Sequence, residues 1–184
     1  MYKENDIEIP REMAGMMLSG ILSDTLVLTS PTTTDYDREI VKDLASIAGV
    51  DYKEYGMNML RAGSSIKNKT KEEVLYNDYK TYPVGNHKVG LGQILTMNID
   101  DIMSEKDEYI KLLNDTAEAN GYYFVVLYIT DIIKQGSYVL FSDRAIDILK
   151  KAYNMEDLEE GSFLAGYVSR KKQMLPGIMQ EFGQ

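Results

Sequence analysis

Ser169-Arg170-Lys171-Lys172-Gln173 sets three cationic side chains in a row, in a chain whose formal net charge is -9. Neighbouring like charges are unfavourable unless something negative compensates them. Arg offers a planar fork that meets phosphate oxygens two at a time, and Lys a compact point charge. The apolar residues just before the run, Phe163, Leu164, Ala165, Tyr167 and Val168, indicate that it leaves a packed element and is held by it. Taken alone, the plainer account is a solvated basic face near a C-terminus. Asp24, between Ser23 and Thr25, falls where a helical apolar pattern gives way to an extended one. A carboxylate buried there needs a backbone cap, a cation or a metal; by itself it reads as a helix-end cap or an exposed residue. Lys80, at the start of a strand pattern, carries no signal alone. His87 reads as an exposed turn residue, and Met13, Met16 and Met17 as core packing.

Composition narrows the chemistry. At 184 residues, with 44% hydrophobic and 27% charged residues, the chain has the balance of a globular protein able to bury a core. It has no Cys, which removes disulfides, thiolate metal sites and thiol nucleophiles. A single His excludes a His-rich metal centre and leaves only one position for the base of a Ser-His-Asp triad. The acidic balance argues against nucleic acid as a partner, since such binding rests on a broad basic surface. A small anion in one local pocket stays compatible with it. The opening residues lack a signal-peptide pattern, and the apolar stretch from Met13 to Leu28 is interrupted by Ser19, Gly20, Ser23 and Asp24. A cytoplasmic, non-membrane protein is the resulting expectation.

These residues need elements to hold them. Pro10 suits the first turn of a helix, with Met13, Met16, Met17, Gly20 and Ile21 following at helical spacing. Leu26-Val27-Leu28 reads as a short strand or extended exit, and residues 30–34 as a loop. Thr34 N-caps a helix with Asp35 and Asp37 in its first turn, an apolar face of Ile40, Val41, Leu44, Ile47 and Ala48, and Gly49 as its stop. A further helix covers residues 52–62. Gly63-Ser64-Ser65 with Lys67-Asn68-Lys69 reads as a linker, and Thr70 with Glu73 as a capping box. Residues 80–84 and 88–97 read as strands around a Gly85-Asn86 turn, and 99–119 as one long helix. Residues 122–129 are almost continuously apolar, as expected of a strand buried on both faces. A strand over 138–141 and a helix over 143–153 follow. The fold class is therefore α/β, with α+β as the variant, around a mixed β-sheet flanked by helices.

Several segments, taken in order, carry a family resemblance. Gly20-Ile21-Leu22-Ser23-Asp24-Thr25-Leu26, Ser30-Pro31-Thr32-Thr33-Thr34, Ala48-Gly49-Val50-Asp51, residues 55–63, Asp78-Tyr79-Lys80 and Ser169-Arg170-Lys171-Lys172-Gln173 with Pro176 together resemble family II inorganic pyrophosphatases. These are manganese-dependent enzymes of the DHH phosphoesterase superfamily. The resemblance implies hydrolysis of pyrophosphate to two orthophosphates by two-metal-assisted attack of water. It matches Asp24 to a metal-ligating carboxylate for Mn²⁺, with Mg²⁺ or Co²⁺ as alternatives, and Lys80, Arg170 and Lys171 to cations that bind pyrophosphate. Lys172 and Gln173 belong to the same motif without an assigned contact.

The chain also departs from the family. Members are roughly twice as long and open with a DHH domain whose His and Asp motifs supply most metal ligands; no such motif occurs here. Residues 1–62 are therefore expected to be the C-terminal remnant of a DHH domain, and 63–184 the complete C-terminal substrate-binding domain. Tyr2-Lys3-Glu4-Asn5 resembles a segment internal to full-length members, which favours a truncated chain, inactive alone. The expected partners are pyrophosphate, the missing DHH domain or another copy of the chain, and a homo-oligomer is compatible with this. The alternative reading is a non-catalytic module that senses phosphate or a nucleotide.

Overall fold

Pro10 is the N-cap of the first helix, α1 (Arg11–Asp24), in a computed structural model that describes residues 2, 5, 7–64, 66 and 68–183. Its missing N–H costs nothing at a helix start, where the first donors have no intrahelical acceptor. The chain forms two compact units, Met1–Gly63 and Ser64–Gln184.

In the first unit α1 buries Ala14, Leu18 and Leu22, a row at i, i+4. Met17 and Ile21 pack beside that row. Met13 and Met16, expected in the core, are instead 38% and 69% exposed, because the Ala-Leu-Leu row decides which side of the helix turns inward. Helix α2 (Asp35–Ala48) starts with the Thr34–Asp37 capping box and stops at Gly49, whose φ of 69° is left-handed. Helix α3 (Tyr52–Gly63) completes the unit. Between α1 and α2, Leu26, Val27 and Leu28 are not extended: their φ values of 47°, 55° and 65° make one left-handed turn. Each costs about 1–2 kcal/mol relative to ordinary backbone. Local bonds hold the turn: Val27 N–H donates to Leu22 O at 2.8 Å, Ser30 N–H to Thr25 O at 2.8 Å, and Leu28 N–H to Thr25 Oγ1 at 3.1 Å. Val27 also packs where Gly56 lacks a side chain; a Cβ there would lie 2.8 Å from Val27 Cγ2.

The second unit is a five-stranded mixed sheet between helices. Its order in sequence is α4 (Lys71–Leu75), β1 (Tyr79–Val84), β2 (His87–Thr96), α5 (Asp100–Met103), α6 (Lys106–Asn120), β3 (Phe124–Asp131), β4 (Gly136–Phe141), α7 (Ile146–Tyr153), β5 (Phe163–Ala165) and α8 (Leu175–Glu181). The strands lie side by side as β1-β2-β3-β4-β5, with β2 and β3 parallel and the other pairs antiparallel. Every residue of β3 is buried. Its Phe124, Val126 and Tyr128 face a core with Leu149, Met174 and Ile178, and its Val125, Leu127 and Ile129 face one with Leu75, Ile102 and Leu113. That is the two-sided burial its unbroken apolar run requires.

Some boundaries differ from the sequence reading. The helix expected over 99–119 is two helices, broken at Ser104-Glu105, where Glu105 (φ -116°, ψ 26°) leaves helical geometry and pairs with Lys71 at 2.7 Å. The helix expected from Asp143 begins as a 3-10 turn over Asp143–Ala145. In the expected linker, Ser65 and Lys67 lie outside the described residues, as do Lys3 and Glu4 of the opening segment. His87 is exposed, yet its ring stacks on Tyr123 at 4.5 Å. No helix among the described residues is long and apolar enough to cross a membrane.

Candidate functional site

The cationic run lies on a π-helical turn, Arg170–Met174, that leads directly into α8. A π turn closes its hydrogen bonds over one more residue than an α-helix and is often found at functional positions. Polar side chains at the neighbouring strand ends hold its approach. Gln93 Nε2 donates both to Val168 O at 3.0 Å and to Thr130 Oγ1 at 2.8 Å. Ser137 Oγ donates its one proton to Tyr167 O at 2.7 Å, so Thr130 is the donor of the 2.8 Å Thr130–Ser137 bond. Gln173 closes the turn from the other side. Its Oε1 accepts from Val168 N and Ser169 N, each at 3.0 Å, and its Nε2 donates to Gly166 O at 2.8 Å. Gln173 thus shapes the loop, and Ser169 caps the turn by accepting from Lys172 N–H at 3.4 Å.

Arg170 points into the protein, only 6% exposed, so the solvated basic face does not describe it. Its Nη1 donates to Asp78 O and, at 3.1 Å, to Leu91 O; its Nη2 donates to Asp78 Oδ1 at 2.7 Å. Its Nε is buried with no hydrogen-bond partner. Leu91 is the β2 residue directly opposite Lys80 of β1. Lys80 shares one strand face with Tyr82 and Val84, two and four positions on, which pack on the same side of the sheet as Met174. The structure therefore brings Lys80 and the Arg170 turn to one face of the sheet, at its β1–β2 edge. Lys80 and Lys171 are both exposed. Beneath them, the buried hydroxyls of Tyr128 and Tyr153 share a hydrogen bond, and Tyr167 meets the Tyr153 ring edge-on at 5.3 Å. Burial pushes both phenols well up; the bond from Tyr153 and the nearby Arg170 charge partly offset this at Tyr128.

Asp24 belongs to the other unit. It is the last residue of α1 and is exposed, and its carbonyl accepts from Thr32 Oγ1 at 2.9 Å. A carboxylate at a helix C-terminus faces the negative end of the helix dipole, so the position does not favour it on stability grounds. It lines a groove of about 1010 Å³ with Met17, Gly20, Ile21, Thr32 and Ile40. Among the described residues no three His, Cys, Asp or Glu side chains group closely enough to hold a metal ion. Asp24 supplies one hard oxygen ligand, and the described residues do not make a metal site from it alone. Asp78 and Gln93 carry no role in the sequence reading. A charged residue two positions before Lys80 and an amide inside an apolar strand pattern are the signals that point to them.

The chain matches the family model described as the DHHA2 domain over residues 57–180. It is 42% identical over 184 residues to a probable manganese-dependent inorganic pyrophosphatase of Lactobacillus delbrueckii subsp. bulgaricus, and 41% identical over 182 residues to one of Streptococcus thermophilus. In each case the alignment covers 99% of this chain and 59% of the relative, so the chain spans well under two thirds of their length. A solved structure from Methanococcus jannaschii, described as a candidate family II inorganic pyrophosphatase, superposes with a TM-score of 0.84 at 36% identity, covering 96% of this chain and 57% of that one.

Proposed function

This chain belongs to the DHHA2 domain family, and from that premise we propose that it is the phosphate-gripping part of an inorganic pyrophosphatase, which hydrolyses pyrophosphate to two orthophosphates. The observation that carries this reading is the buried, hydrogen-bonded Arg170 set on the sheet face that also bears Lys80, with Lys171 beside it, in an otherwise acidic chain. In this reading the three cations hold the phosphoryl oxygens and neutralise the charge that builds on the leaving phosphate as water attacks in line. Cations placed in advance need no reorganisation during reaction, which makes each worth more than it would be in water. The relatives are named manganese-dependent. Asp24 offers a single oxygen ligand of the kind Mn²⁺ takes, and we assign the remaining metal ligands to a DHH domain or a second chain that completes the site. Residues 1–62 are, in the same reading, the end of such a domain and 63–184 the substrate-binding domain.

The test mixes the purified chain with a DHH-domain polypeptide, supplies Mn²⁺ and pyrophosphate, and measures phosphate release. Turnover in the mixture and not in either part supports the assignment. Saturable nucleotide binding with no turnover in the mixture would replace it with a sensing module.

A further inference from the structure

Arg170 has five N–H donors, and three are engaged. Both protons of Nη1 go to backbone carbonyls, of Asp78 and Leu91, and one of Nη2 goes to the Asp78 carboxylate. Asp78 therefore takes the end of the guanidinium with its carbonyl and its side chain together. The same carbonyl accepts from Gln93 N–H at 2.9 Å, which ties the contact into the β1–β2 ladder. The Arg170 Nε is enclosed without a partner, whereas Lys80 and Lys171 are exposed. Asp78 also stands two residues before Lys80, so one short segment anchors both cations.

We propose that Asp78 is a positioning residue: by fixing the end of the Arg170 guanidinium it holds the turn that bears Lys171 on the sheet face that bears Lys80, so that the exposed cations of this face meet a phosphoryl group. This rests on the pyrophosphate reading above. Electrostatics and positioning predict opposite signs here. Deleting the carboxylate makes the site more positive, which alone would tighten anion binding; loss of orientation weakens it.

Titration calorimetry of the full 184-residue chain with pyrophosphate reads the difference. Asp78→Ala should weaken binding at least about tenfold, the scale of one lost charge-assisted hydrogen bond. Asp78→Asn keeps an oxygen acceptor in place and should recover most of that loss. The unaltered chain supplies a second readout that needs no variant to fold: saturating pyrophosphate should shift the Lys80 and Lys171 Nζ resonances. A folded Asp78→Ala chain that binds as tightly or more tightly overturns the positioning role, as does an unmoved Lys171 signal, and either leaves the pyrophosphate reading standing. If the unaltered chain shows no saturable binding, that reading fails and the positioning role falls with it.

Discussion

The guanidinium of Arg170 meets three acceptors, two on Asp78 just before β1 and one on Leu91 of β2, and no other cationic side chain can reproduce that arrangement. Lys carries its donors on one nitrogen and cannot reach Asp78 O, Asp78 Oδ1 and Leu91 O together. Arg170→Ala should lower the stability of the chain by about 2 kcal/mol, because the Asp78 and Leu91 carbonyls each lose a hydrogen bond, while the half-exposed Asp78 carboxylate is left to water. Arg170→Lys should recover only part of this, as read by urea denaturation. In the pyrophosphatase proposed above, completed by a DHH domain, Arg170→Ala should cut kcat/KM by at least about a hundredfold. The tyrosine pair beneath Arg170 gives a separate test. Burial raises the phenol pKa values of Tyr128 and Tyr153 in the folded state above their unfolded value of about 10. The unfolded chain then releases protons that the folded chain keeps. Their stabilising contribution is complete below about pH 10 and is lost as pH rises beyond it. Unfolding free energies measured across that range should fall with pH, and Tyr153→Phe should flatten the fall.

Glycines and short-range bonds decide how the elements meet. In β2, Gly92 leaves room for α4: a Cβ there would lie 2.7 Å from the backbone oxygen of Leu75. Backbone cannot move aside as a flexible side-chain end can. Gly92→Ala should therefore destabilise the chain by about 1–3 kcal/mol. Gly15, inside α1, has nothing within 4 Å of an added Cβ. Gly15→Ala should stabilise by about 0.5–1 kcal/mol through helix propensity. Equilibrium denaturation of the two variants side by side checks both signs. The π turn depends on Gln173 in the same way, since that one side chain supplies three of the bonds that close the loop over 166–173.

At the scale of the whole molecule, an acidic chain carries a small group of cations on one sheet edge and a lone candidate metal ligand in the other unit. Water activation by metal ions requires several converging ligands. Among the described residues, none group in that way. The chain alone, given Mn²⁺ and pyrophosphate, should release phosphate at the background rate. Sustained turnover by a preparation free of contaminating enzyme would show that the chemistry resides in this chain after all.

The amino-acid sequence by itself determines the strands and helices with strong periodicity: the two-sided apolar run of β3, the Thr34 and Thr70 caps, the Gly49 stop and the β1–β2 hairpin. Each is set by interactions within a few residues or by a burial pattern that repeats along one segment. The motifs are legible too, as residue types in order. What they do not convey is the direction of Arg170. Its partners Asp78 and Leu91 lie 92 and 79 positions away, and only the sheet brings them under the π turn. The left-handed turn at Leu26-Val27-Leu28 is hidden for a similar reason. Its residues favour extended backbone locally, and the room left by Gly56, 29 positions beyond Val27, helps hold them elsewhere. Local preference is written along the chain; a contact that overrides it exists only once the chain has folded.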